Sequence, residues 1–213
     1  MSTFDLETLY RKLDDLPAAE SAAGRYSQFD VRFREVLQAI AEAEPDWADR
    51  AMALAGLSAN ELESARDAWL AGDKPSDENT LLEFALISTL RRYHRRFDAE
   101  PLAEGPAGAS CPVCGAEADV AYLDEGGFRY AVCRLCDARW PVPRIRCLYC
   151  GEEDAKELEY YPYEGGYRLY HCKTCGRTLP AVDLREAGRL DLPRLRAAGA
   201  EMQFLYESGA VEG

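Results

Sequence analysis

Eight cysteines, all within residues 111–175, constrain this chain more than any other feature. They form four Cys-X-X-Cys pairs: Cys111/Cys114, Cys133/Cys136, Cys147/Cys150 and Cys172/Cys175. Two intervening residues let both sulfurs of a pair point at one ion from a tight turn, and a second such turn completes a tetrahedron. Gly115, Gly151 and Gly176 each follow the second cysteine of a pair, where the turn calls for a left-handed residue. Asp137 holds that place in the remaining pair, and Asp is among the few non-glycine residues that tolerate it.

The cysteine segment is duplicated. Glu125-Gly-Gly-Phe-Arg-Tyr-Ala-Val-Cys-Arg-Leu-Cys136 aligns with Glu164-Gly-Gly-Tyr-Arg-Leu-Tyr-His-Cys-Lys-Thr-Cys175 at a constant offset of 39 residues. Glu-Gly-Gly reads as a hairpin turn, and the alternating residues after it as a strand that delivers the second knuckle. The repeat sorts the ligands into Cys111, Cys114, Cys133 and Cys136 for one site, and Cys147, Cys150, Cys172 and Cys175 for the other. Disulfides fit a cytoplasmic chain poorly. Thioredoxin-like exchange needs a βαβ context that the flanking sequence lacks. Four thiolates suit two metal ions, iron or zinc, equally well.

The rest of the chain is helical in pattern. Leu6, Leu9, Tyr10 and Leu13 recur at helical spacing after Phe4, as do Phe29, Phe33, Val36, Leu37 and Ile40 up to Pro45. Ser58-Ala-Asn-Glu61 is a capping box that opens a helix bearing Leu62, Ala65, Trp69 and Leu70. Ser76 or Asp77 is expected to cap the next helix, which carries Leu81, Phe84, Ala85 and Leu90 and ends in Arg91, Arg92, Arg95 and Arg96. Those arginines suit a solvated helix end, where cations complement the dipole, better than a partner-binding patch. Leu192, Leu195, Met202, Leu205 and Tyr206 mark a C-terminal helix that Gly199 weakens.

The expected fold class is therefore α plus small β: a helical domain, two tandem rubredoxin-like or zinc-ribbon modules, and a C-terminal helix. The expected boundaries are 1–97 for the helical domain and 98–110 for a Pro/Gly/Ala linker. The first ribbon takes 111–140, the second 141–183, and the terminal helical segment 184–213.

Charge and composition exclude several functions. No apolar run approaches the ~18 residues of a membrane span. The N-terminus has no basic n-region or apolar h-region, so a cytoplasmic location is expected. A net charge of −13 opposes general nucleic-acid binding, although residues 101–213 alone carry a milder 18 acidic against 13 basic. Tandem ribbons with Arg and Tyr on their strands keep a nucleic-acid-binding zinc-ribbon protein as the alternative reading. His94 and His171 have no evident catalytic partner in sequence, and no phosphate loop or open three-ligand metal pattern is present. No catalytic residue is expected.

Cys111-Pro-Val-Cys-Gly115 is followed by Arg129-Tyr130, Cys133-Arg-Leu-Cys136, Trp140, Arg144 and Cys147-Leu-Tyr-Cys150-Gly151. This run resembles the formate dehydrogenase accessory protein FdhE family over residues 111–183. Leu179 stands where the family usually has an aromatic, and the N-terminal part is short for the family. The resemblance implies a cytoplasmic maturation factor rather than a dehydrogenase. It implies binding to the catalytic subunit of formate dehydrogenase, with iron in rubredoxin-like sites. Arg129, Arg139, Trp140, Arg144 and Arg146 form a basic, aromatic strip of the kind that anchors interfaces. The competing assignment has Trp140 filling a gap between ribbons and the arginines paired with nearby carboxylates.

Overall fold

The structure, a computed structural model, describes residues 5–18, 26, 28–73, 80–95 and 100–210. The chain divides into two compact units, Met1–Arg95 and Arg96–Gly213.

The first unit contains α1 (Leu6–Asp14), α2 (Phe29–Ala43), a 3-10 turn at Pro45–Trp47, α3 (Ala48–Ala55), α4 (Ala59–Ala71) and α5 (Thr80–His94). Its core is built from the periodic positions, with Leu9, Phe33, Val36, Ile40, Leu62, Leu86 and Leu90 fully buried. The capping box forms: Ser58 Oγ accepts from the Glu61 amide at 3.3 Å, and the Ser58 amide donates to Glu61 Oε2 at 2.8 Å. Phe4, Ser76, Asp77 and Arg96 lie outside the described residues.

Arg91, Arg92 and Arg95, at the end of α5, form neither a solvated helix end nor an exposed patch. Arg91 and Arg92 are buried. Arg92 donates to Glu35 at 2.6 Å and to the Pro17 carbonyl at 2.9 Å, holding the Glu35 carboxyl below the usual range. Arg91 and Arg95 both reach Asp14, at 3.4 and 2.9 Å. A bundle this small has little apolar surface to bury, and guanidiniums that bind carbonyls and carboxylates from neighbouring helices tie its ends together.

The second unit is built on one six-stranded sheet. The strands are β1 (Ala118–Leu123), β2 (Arg129–Cys133), β3 (Arg139–Val142), β4 (Leu158–Pro162), β5 (Tyr167–Cys172) and β6 (Thr178–Asp183). Their order is β3-β2-β1-β6-β5-β4. Each ribbon is a three-stranded antiparallel meander. A parallel seam joins them, with Ala121 opposite Ala181, Tyr122 opposite Val182 and Leu123 opposite Asp183. The two modules thus share one sheet.

Two helices follow, α6 (Leu184–Ala187) and α7 (Leu192–Glu207). Leu192, Leu195 and Met202 of α7 pack on Val120, Tyr122 and Val132 from the first ribbon, and on Tyr167, Leu169 and Val182 from the second. Because side chains alternate along a strand, Arg129, Tyr170 and Leu179 fall on the opposite face of the sheet. Gly199 lies inside α7, facing β6: a Cβ there would stand 2.8 Å from Pro180.

Residues 100–110, a linker by composition, run along the sheet unit. The Leu102 amide donates to the Arg139 carbonyl at 2.8 Å and the Ala109 amide to the Leu148 carbonyl at 2.8 Å. Gly105 presses against Trp140 so closely that a Cβ would fall 2.6 Å from its side chain.

Candidate metal centres

Each Cys-X-X-Cys pair sits in the same backbone knuckle. The amide of the pair's first cysteine, Cys111, Cys133, Cys147 or Cys172, donates to the carbonyl five residues on, at 2.7–3.0 Å. In three knuckles the residue after the second cysteine donates back to the first: Gly115 to Cys111, Gly151 to Cys147, Gly176 to Cys172. These glycines have φ of 80°, 82° and 69°, and Asp137 has φ 57°. The left-handed position expected from sequence is occupied in all four. β2 ends at Cys133 and β5 at Cys172, so each strand delivers a knuckle directly.

The knuckles converge in two sets. Cys111, Cys114, Cys133 and Cys136 place their sulfurs within 4.8 Å of one another, as do Cys147, Cys150, Cys172 and Cys175. Across each site the close pairs are Cys111–Cys136 at 3.6 Å and Cys114–Cys133 at 3.4 Å, then Cys147–Cys175 and Cys150–Cys172 at 3.7 Å. A tetrahedron with metal–sulfur bonds of ~2.3 Å has edges of ~3.8 Å, whereas a disulfide is ~2.05 Å long. The donor sets fit one ion each. Iron held there would be a one-electron centre, and zinc a purely structural staple.

Clustered thiols resist ionising together. In the first site Cys111 is driven down by hydrogen bonds from Cys114, Cys133 and Cys136, and those three are driven up by the same bonds. In the second, burial pushes Cys175 up to about 12. Only a cation can stabilise four thiolates at once, so metal uptake releases protons. The sites differ in access. Three of the four ligands are buried in the first; in the second Cys150 is exposed and Cys175 half-buried.

Sequence patterns did not reveal what holds the first site in place. Arg196, on α7, donates to both Asp119 oxygens at 2.7 and 3.2 Å, to Asp137 Oδ1 at 2.9 Å and to the Cys133 carbonyl at 3.2 Å. It is 5% exposed. The available signal was an arginine one turn after Leu192 on the apolar face of a helix. Across the seam, Arg177 stacks 3.4 Å from the Tyr149 ring and forks onto Glu117 at 2.8 and 3.1 Å, while Tyr149 donates to the Ala118 carbonyl.

The strip proposed for partner binding separates into two classes. Trp140 is fully buried, with its indole N–H on the Gly108 carbonyl at 3.3 Å, and Arg129 is 5% exposed. Burial removes both from the outer surface: Trp140 fills the space under residues 105–108, and Arg129 stacks on Tyr170 at 4.5 Å. Arg139 is half-buried in β3, Arg146 is half-buried and paired with Glu153, and Arg144 is exposed. His94 accepts or donates a hydrogen bond at Tyr26, and His171 lies between Glu159 and the Tyr206 ring.

Residues 110–144 match the family described as FdhE, central domain. The chain is 31% identical over 159 residues to a protein FdhE homolog of Enterobacter sp. (strain 638), covering 69% of this chain and 51% of that protein. To protein FdhE of Salmonella dublin it is 31% identical over 148 residues, covering 64% and 47%. It also shares its fold with the FdhE protein from Pseudomonas aeruginosa seen in a crystal structure. The TM-score is 0.51 at 23% identity, over 96% of this chain and 82% of that one. The chain spans about half the length of the curated relatives it matches. The family match falls on the four cysteines of the first site and the residues that lead out of it, so over this part the chain is similar to FdhE proteins.

Proposed function

We propose that this chain is a cytoplasmic accessory protein that binds the catalytic subunit of a formate dehydrogenase and assists its assembly into active enzyme. It performs no catalysis of its own. The observation that carries this reading is the pair of four-cysteine centres fused through one sheet, on a sequence that matches the FdhE central domain. Two metal ions, iron or zinc, would be held by the eight cysteines named above. No helix among the described residues is long and apolar enough to cross a membrane, which suits a factor that meets its client before final assembly.

The decisive experiment is capture of the client. Tagged chain purified anaerobically from its source cells should retain the formate dehydrogenase catalytic subunit, and cells lacking the chain should lose formate dehydrogenase activity. Absence of the subunit from the capture, with full activity in the deleted cells, would overturn the reading. The visible spectrum of the same preparation distinguishes coloured ferric thiolate from colourless zinc.

A further inference from the structure

The sheet face opposite α7 carries a cavity that abuts the second site, with Cys147 and Cys172 in its wall. Residues of the 144–155 loop and of β2, β4, β5 and β6 border this open-sided cavity of about 200 Å³. Its wall is largely apolar, with Leu148, Leu179, Tyr160 and Tyr170 among its residues. Four arginines also line it, and they are not equivalent.

Arg146 is paired with Glu153, and Arg177 with Glu117. Arg129 and Arg144 have no carboxylate partner among the described residues. Arg129 is buried, with only 5% of its surface exposed. Its Nη1 donates to the Arg146 carbonyl at 3.1 Å and the Arg144 carbonyl at 3.5 Å, and its Nε is buried with no acceptor. Burial lowers its pKa, but a guanidinium stays charged in a protein. Among the described residues one carboxylate lines the cavity, that of Glu159, and it is engaged by Lys173 at 3.3 Å and His171 at 3.5 Å. In a chain of net charge −13, this deeply buried cation has no carboxylate beside it, and the acidic groups it faces are the side chains of Tyr170, Tyr149 and Cys147.

We propose that this cavity binds a carboxylate carried on an apolar group, presented by the client polypeptide as an acidic side chain or chain end. Arg129 supplies the deep positive charge, Arg144 the outer one, and the leucine and tyrosine wall accepts the apolar body. This assignment rests on the accessory-protein reading for its source of ligand, and on the cavity alone for its chemistry.

The test titrates full-length, metal-loaded chain with N-acetylphenylalanine and with its uncharged amide. The acid should bind about tenfold or more tightly than the amide, a difference typical of charge-assisted hydrogen bonds, and should weaken with salt. Arg129→Gln and the exposed Arg144→Gln should each erase that preference, and Arg129→Lys should restore part of it. All variants should keep both metals. The acid, not the amide, should compete with capture of the catalytic subunit. Equal binding of acid and amide, or no binding of either, overturns the proposal. So does Arg129→Gln shedding the second metal while acid preference is unchanged, because Arg129 would then serve only the thiolates. A chain that prefers the acid but captures no catalytic subunit supports the cavity's chemistry and overturns the accessory-protein reading instead.

Discussion

Asp137 answers two demands at once, and only one of them is written in the local sequence. Its place after Cys136 requires φ > 0, which glycine meets in the other three knuckles. Its carboxylate receives Arg196, which comes from α7, 59 residues later. Asp137→Gly therefore relieves about 1 kcal/mol of left-handed strain but breaks a buried ion pair worth about 3–5 kcal/mol when one partner is removed. The variant should be less stable by about 2 kcal/mol or more in urea unfolding; a glycine that stabilises would show that Arg196 gains nothing from Asp137. Asp183 makes a related case with a pH signature. It accepts from Arg185 and Arg168, and the Arg185 bonds hold its pKa at about 2 instead of 3.8. A depressed carboxylate pKa adds stability above its unfolded value and loses it as pH falls through the folded one. Wild type should thus exceed Asp183→Asn by about 2 kcal/mol near neutrality. The gap should close between about pH 4 and pH 2, since protonated aspartate and asparagine then make similar bonds. A gap that stays constant across that range would mean that the Asp183 charge is not what the arginines hold.

At the scale of elements, the sequence pattern was sufficient wherever a signal was local. The duplicated Glu-Gly-Gly hairpins, the strands ending at Cys133 and Cys172 and the Ser58 capping box all arise from residues within a dozen positions of each other. What stayed hidden was long-range: the parallel β1–β6 seam, the arginines of α5 turned inward, and the identity of residues 105–108 as the cover over Trp140, whose gap-filling role the sequence did offer. Pairing partners so far apart leave no periodicity to read. Gly199 illustrates how an element's own propensity can mislead. In an isolated helix, alanine at that position would gain about 1 kcal/mol over glycine. Here α7 lies so close to β6 that the added methyl meets Pro180 at 2.8 Å, and overpacking a tight contact costs about 1–3 kcal/mol. Gly199→Ala should lower the melting temperature; a rise would mean that α7 can shift off Pro180 freely. The knuckles carry their own prediction. With Cys150 exposed, a chromogenic chelator should strip metal in two phases, the second site first, and Cys150→Ser should remove the fast phase. A single phase for both ions would contradict the difference in access.

For the whole molecule, the question is which parts depend on metal. The first unit buries a helical core that contains no cysteine, so its stability comes from apolar packing and the Asp14 and Glu35 ion pairs. The second unit is different. Each knuckle fixes a strand end, and both ribbons share a seam and the α7 cover. With an ion in each site, four-thiolate binding energy would be folding energy for the whole sheet, and losing one ion would weaken the neighbouring ribbon through the parallel pair. Hydrogen exchange read by mass spectrometry can follow the two units separately in the intact chain. After chelation at neutral pH, protection should collapse across 111–183 and in α7, while amides of α2, α4 and α5 keep the protection they had with metal present. Cys111→Ser with Cys114→Ser should loosen β5 and β6 as well as β1 and β2, because the seam transmits the loss. Protection retained throughout would show that the sheet folds without its ions. Protection lost in the helices as well would show that the first unit draws its stability from the second.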